Sequence, residues 1–473
     1  MSTEHESPSA TRAAFVDAAR MRRFRLGWVT TVVVLALAAT GLGAAGAAQG
    51  PRLASGSVNA EAAVSRPAGR IVLDANQPID DVAASDVTIT PSAGFEVTQD
   101  GAAVTVRLTG MLDYAQDYTV EVAARSASTG APGVLRFSFT TPGADVLALQ
   151  RGAGADGGDR VVRTSLAGSA EVETVFEAPR IQEYALLGRV LVAVVLDADD
   201  TPSLVTVDTT NGLVGEVAVG EADGIREVHA SPNALLVGFL VDRQTDEGLV
   251  STLAVYDPTD GSGVIREIAD ADGVPLAARD WAFVPGTGSL VVQTTDRQLY
   301  LVDAVAGTEP SPLGSHSELR GFLPGTTTLV VADPDGGTLL DLAAGTSTPL
   351  ELPTAEVDPH LTLGTVLMLG PDSYVQLLTD PYDSGAIPAL SALVRVDAKG
   401  TSPLYAPATA TSRIGRVCLS PNAQYLAVEV IPGGSGSDLY PAVPGYPDTT
   451  IYFVDARDGS TSRGVVGMLP DWC

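Results

Sequence analysis

The chain has 473 residues, 45% of them apolar, and its 57 acidic against 28 basic residues leave a formal charge of −29. Such a surface excludes nucleic acid and anionic lipid faces as docking partners, because phosphate repels it, and it keeps an exported protein soluble. The length allows two or three domains of about 150 residues each, and the Ala, Gly, Arg and Val bias is that of a high-GC bacterial genome.

Residues 1–25 are polar and end in "RMRRFR", which reads as a cytoplasmic tail. Residues 26–48 then run without a charge. At about 1.5 Å rise per residue such a stretch spans a hydrocarbon core of about 30 Å, so a transmembrane helix is expected over 26–48. The arginines before it stay inside by the positive-inside rule. The localisation that follows is single-pass, with the N-terminus cytoplasmic and the C-terminal domains extracellular. A cleavable signal peptide ending near Ala45-Gly46-Ala47 is the rival, but a basic leader of 25 residues is long for that role. "GLGAAG" at 41–46 lies in the apolar stretch with no βαβ unit behind it and is no dinucleotide signal.

A Gly/Ala/Ser linker is expected over 49–65. The period then becomes two: "GRIVLDANQPID", "SDVTITP", "FEVTQDG", "AAVTVRLTG", "DYTVEVAA" and "GVLRFSFTTPG" read as short strands between turn residues. Asp100-Gly101 between alternating runs marks a hairpin. Such a series fits a β-sandwich over 56–142. "LDANQPID", "LDYAQDYTVEV" and the closing "FSFTTP" resemble the SbsA-type bacterial Ig-like domain. Tyr114 and Tyr118 are expected to cap its core.

From 146 to 473 a unit of some 40–50 residues repeats. Each unit opens with a strand ending in Pro or Gly, as in "REVHASPN", "ARDWAFVPG", "LRGFLPG" and "GRVCLSPN". A continuous apolar strand follows, then one ending in Asp, then a closing strand. Four strands per unit make a propeller blade, and the second strand is apolar throughout because neighbouring blades cover both its faces. Ser231-Pro232-Asn233 and Ser420-Pro421-Asn422 mark the same inner turn in two blades. The phrase resembles the TolB-type propeller repeat, whose common form is Ser-Pro-Asp-Gly; Asn-Ala stands here for Asp-Gly. About seven units are expected. The first lacks an inner strand, and "GMLPDWC" at the C-terminus matches one, so the last strand is expected to close the ring. The fold class is thus all-β: an N-terminal transmembrane helix, an Ig-like sandwich and a roughly seven-bladed propeller closed by the C-terminal strand.

Catalytic patterns are scarce. His5, His229, His316 and His360 are scattered, with no HExxH. No Gly-x-Ser-x-Gly elbow occurs and no hydrolase domain is expected after the propeller. His229 lies on an inner strand near the axis and is the one candidate ligand-face residue. The Asp-rich turns "LDADDTPS", "DADGVP", "ADPDGGT" and "DARDGS" have calcium-binding chemistry but lack EF-hand spacing, and Asp and Gly serve hairpin turns regardless. No catalytic, metal or cofactor site is assigned. Cys418 and Cys473 form an even pair in an exported chain and are expected to make a disulfide. Aligning "GRVCLSPN" with "MLPDWC" places them at equal height on the inner strands of the last and first blades.

The expectation is therefore a cell-envelope interaction protein that is not an enzyme. It presents a propeller outside the membrane on an Ig-like spacer, anchored in the membrane by its single N-terminal segment. Its partner is an unknown envelope protein or glycan, and no nucleic acid. The alternative is a lactonase- or lyase-type propeller enzyme with an axial metal.

Overall fold

The computed structural model of the chain describes residues 24–38, 49–166, 172–231, 234–246, 248–259, 261, 263–380 and 391–472. Two compact units interleave along the sequence: Met1–Val58, Arg70–Arg107 and Tyr118–Phe139 form one, and Asn59–Gly69, Leu108–Asp117 and Thr140–Cys473 the other.

The first unit holds two antiparallel sheets. One runs in the order Leu53–Val58, Arg70–Ala75, Ala103–Leu108, Phe95–Asp100; the other in the order Val87–Thr90, Asp117–Arg125, Pro132–Thr140. Alternation of apolar and polar residues sends one side of each strand inward, so Ile71, Leu73, Val104, Val106, Val120 and Val122 are fully buried. Gly101, with φ 59°, makes the tight turn expected after Asp100. Residues 49–65 are not a linker. Leu53–Val58 is a paired strand, and Ala60–Ser65 is a helix capped by the Asn59 side chain. "LASGSV" hides its strand character because small residues replace the usual branched ones. At Gly56 a Cβ would lie 2.3 Å from the Phe137 ring, so only glycine lets the two sheets meet there. Tyr118 is buried against Phe139, as expected of a core residue.

Residues 24–38 are helical and exposed. No described helix is long and apolar enough to cross a membrane. Residues 1–23 and 39–48, and with them much of the expected tail and span, lie outside the described residues.

In the second unit seven sheets follow one plan among the described residues. Blades 2 to 7, over 181–217, 224–267, 278–315, 318–350, 362–405 and 413–466, are four-stranded meanders; blade 1, over 145–178, has three strands. The second strand of each four-stranded blade is buried almost throughout, as in Leu236–Thr245, Ser289–Thr294 and Tyr425–Ile431. Apolar clusters join blade 1 to 2, 2 to 3, 3 to 4, and so on to 7. A further cluster, with Val146, Ala148, Ile451 and Phe453, joins blade 7 back to blade 1. Every sheet thus shares a core with two neighbours, and the series returns to its start. The result is a seven-bladed β-propeller.

The chain's end completes blade 1. Leu149 and Met468 exchange both backbone hydrogen bonds, and Asp471 accepts the Leu147 N–H with Oδ1. Met468 and Leu469 fill the cluster between blades 1 and 2.

The repeated Asp that ends the third strand is a turn former. Asp208, Asp257, Asp303, Asp341, Asp397 and Asp455 each accept the backbone N–H two residues on. This Asx geometry pins the outer hairpin of each four-stranded blade. The inner turn Ser420-Pro421-Asn422 joins first to second strand as expected. Asn422 Oδ1 accepts the Gln424 N–H, and Ala423 stands at φ 57°, the position glycine holds in the commoner form of the phrase. In blade 3, Pro232 and Asn233 lie outside the described residues.

Candidate functional site

Each inner strand of blades 2 to 7 carries an irregularity at a corresponding place. Its register against the second strand slips after Ile181, Arg226, Ala278, Leu319, Leu363 and Ile414. Such bulges re-aim side chains. The inner strands turn toward a cavity of about 890 Å³, walled by blade 2 at Glu183–Leu186, blade 3 at Arg226–Ala230 and blade 7 at Arg416. Inner turns at Pro285, Gly325 and Pro421 line its lower end, the end where inner strands finish.

That lower end also receives Ser65–Pro67 and Met111, from the two short segments that join this unit. Asn422 Nδ2 donates to the Leu112 carbonyl at 2.9 Å, the Tyr114 N–H donates to Gln424 Oε1 at 2.6 Å, and Arg457 pairs with Asp113 at 2.8 Å. Tyr114 stacks on Tyr425 and Trp472. The expectation that Tyr114 caps the sandwich is corrected: its ring packs on propeller residues, because the 108–117 segment belongs to that unit.

A strap over 432–449 covers the opposite end. It joins the second and third strands of blade 7 and brings Ala442, Val443 and Pro444 to the cavity. Arg151 fastens it: the buried guanidinium pairs with Asp438 at 2.7 Å, donates to the carbonyls of Ile181, Gln182 and Val443, and lies 3.7 Å over the Tyr440 ring. The Tyr440 hydroxyl donates to Asp159, which also accepts the N–H groups of Gly152 and Ile181.

The cavity's ionisable groups divide by what they already hold. The buried Glu183 carboxylate accepts the Val228 N–H of the next blade's bulge. Glu429, buried outside this lining, accepts the N–H groups of Leu469 and of the lining residue Arg416. Burial raises both carboxyls, opposed by these bonds and by the Arg416 guanidinium. Glu227 sits at φ 55°, which costs a residue with a side chain about 1–2 kcal/mol. Burial pushes its carboxyl up to about 7, and Arg226 pairs with both it and Asp242. His229 lies opposite Gly238, with its ring edge-on to Trp281 at 5.3 Å. A Cβ on Gly238 would stand 2.4 Å from the Trp281 ring, so glycine makes this packing possible. Burial, and then Arg416, lower the His229 imidazole to about 4, so it is neutral at physiological pH.

His229 therefore lies on the cavity wall. Cys418 sits on blade 7's inner strand but does not line the cavity, and no described cysteine is a free thiol. Cys473 is outside the described residues. Sequence reading missed Glu183, Glu227, Arg416 and the strap. A signal for the first three was present: "IQE", "IRE", "ARD", "LRG" and "IGR" open five inner strands, each an apolar residue followed by charge at the bulge. No group of three or more His, Cys, Asp or Glu suited to a metal occurs among the described residues.

The ring of sheets around this axial cavity defines the chain as a β-propeller protein. Solved structures similar to the chain include the tricorn protease (TM-score 0.42, 11% identity, 87% of this chain and 46% of that one) and TolB from Acinetobacter baumannii (0.35, 11%, 82% and 84%). A prolyl endopeptidase is also similar (0.46, 11%, 68% and 51%). The likeness is one of fold. The chain spans about half the length of the two peptidases. No protein-family profile matches it, and no curated protein does. The expectation that the chain is not an enzyme is corrected: the structures it is similar to include peptidases.

Proposed function

We propose that the chain is a cell-envelope protein whose propeller binds a small polar ligand in its axial cavity. The observation that carries this is the cavity itself: about 890 Å³, walled by bulged inner strands, with a strained Glu227 on its lining. Strain held at a lining position is a mark of a working site. The uncharged 26–48 stretch behind an arginine cluster supports a membrane tether. The strand pattern of 56–142 supports an Ig-like spacer between tether and propeller.

Two experiments test the reading. Ligands that raise the melting temperature of the purified full-length chain should lose that effect in Ala230→Trp, which fills the cavity. Stabilisation that survives the filling places binding elsewhere and ends the proposal. Protease added to intact protoplasts should remove the propeller and spare the N-terminal tail. An intact propeller there, or one released into the medium from about residue 48, overturns the tether. Bound ligand recovered chemically altered would show turnover.

A further inference from the structure

The cavity's charged groups differ in how far they are already engaged. Its carboxylates are engaged: Glu183 by a backbone N–H, Glu227 by Arg226, and Asp471 by the Leu147 N–H. Its guanidinium groups are not all so held. Arg416 lines the cavity from blade 7, and only its backbone N–H is bonded, to Glu429. Arg66 lines the lower end, where its backbone N–H closes the helix Ala60–Ser65. Neither side chain has an ion-pair or hydrogen-bond partner among the described residues, and both are exposed to the space they line. The neutral His229 imidazole, packed edge-on against Trp281, also lines the cavity and makes no hydrogen bond among the described residues.

This runs against the rest of the molecule, which carries twice as many acids as bases. A donor-rich pocket in an acidic protein has one natural complement. Resting on the cavity reading, we propose that the ligand is an organic acid. Arg416 grips its carboxylate through the planar fork that guanidinium offers to two oxygens, and Arg66 holds a second acid group at the lower end. Glu183 and Glu429 lie close enough to feel the Arg416 charge, yet each accepts backbone N–H groups and neither makes an ion pair with the fork.

Calorimetry on the purified full-length chain tests this with acetate, succinate and citrate as probes, and with succinamide and inorganic phosphate beside them. Succinate or citrate should bind, acetate more weakly, and the uncharged succinamide not at all. Arg416→Gln should weaken binding at least tenfold, Arg66→Gln should weaken the di- and tricarboxylates but not acetate, and Arg416→Lys should restore part of the loss. Binding by the unaltered chain should also weaken as NaCl rises from 50 to 500 mM, a readout independent of how the variants fold. No binding of any of the three acids, binding undiminished in Arg416→Gln, or phosphate bound more tightly than citrate would overturn the inference. If neutral or cationic compounds bind instead and Ala230→Trp abolishes that binding, the acid inference fails while the cavity reading stands. If Ala230→Trp leaves acid binding unchanged, both fail.

Discussion

Leu149 and Met468 exchange N–H and carbonyl groups at 2.8 and 2.9 Å, and this pairing closes the ring. Met468→Ala keeps the backbone pairing and removes a buried side chain from the cluster between blades 1 and 2. Loss of about 2–4 kcal/mol is expected from urea denaturation. Hydrogen exchange should quicken first in Asp145–Gln150. A loss under about 0.5 kcal/mol would mean that closure rests on other contacts.

Arg151 should be among the costliest positions to change. Arg151→Met strands the Asp438 carboxylate and three carbonyls, at roughly 3–5 kcal/mol. Arg151→Met combined with Asp438→Leu should cost less than the sum of the single changes. An additive result from the denaturation cycle would show the pair to be uncoupled.

Two cavity groups give opposite pH slopes. Glu227 has its carboxyl raised to about 7 in the fold, so its contribution is full below the unfolded value near 4.5 and is lost as pH rises toward 7. His229 is lowered to about 4, so its contribution is present above about 6.5 and is lost as pH falls toward 4. Glu227→Gln should therefore stabilise the protein at pH 7.5 relative to pH 4.5. Because the Glu227 side chain is 36% exposed, solvent holds the gain to roughly 1 kcal/mol. Glu227→Gly should add relief of the φ 55° strain at every pH. Melting curves across pH 4–8 check both.

Ala423→Gly should stabilise by about 0.5–1 kcal/mol, since φ 57° costs alanine but not glycine. No change in melting temperature would count against the turn geometry described for blade 7.

Pairing of Cys418 with Cys473 remains a proposal. It would close a loop of about 55 residues, worth about 4 kcal/mol by chain entropy. Peptide mapping without reductant should recover the two cysteines in one linked fragment, and Cys473→Ser should lower the propeller's melting point. Two alkylatable thiols in the protein isolated without reductant would sink the idea.

Much of the ring was legible because its causes are local and repeated. Asp208, Asp303 and Asp455 end third strands for a reason of turn chemistry, and the unbroken apolar runs exist because blades cover both faces. The end of the chain matched a missing first strand for the same reason. What stayed hidden depends on distant partners. Leu53–Val58 is a strand because Arg70–Ala75 pairs with it, not because "LASGSV" favours one. Tyr114 looked like a sandwich residue until the 108–117 segment met Gln424 and Asn422. The charge at each bulge was visible in "IQE" and "IRE", but it gains meaning only where the strands converge. The strap reads as a turn-rich loop in sequence, and only Arg151, some 290 positions away, makes it a lid.

The closure of the ring also sets an order of events at the ribosome. A chain emerges N-terminus first, so the strands of blade 1 are made before any others in the ring. Met468 and Leu469, which complete its cluster, are made only after every strand of blade 7. The earliest blade is thus the last to be finished, and Asp145–Gln150 must wait with an unpaired edge while the rest of the ring is synthesised. Accessibility of that one strand reports whether synthesis has passed Met468.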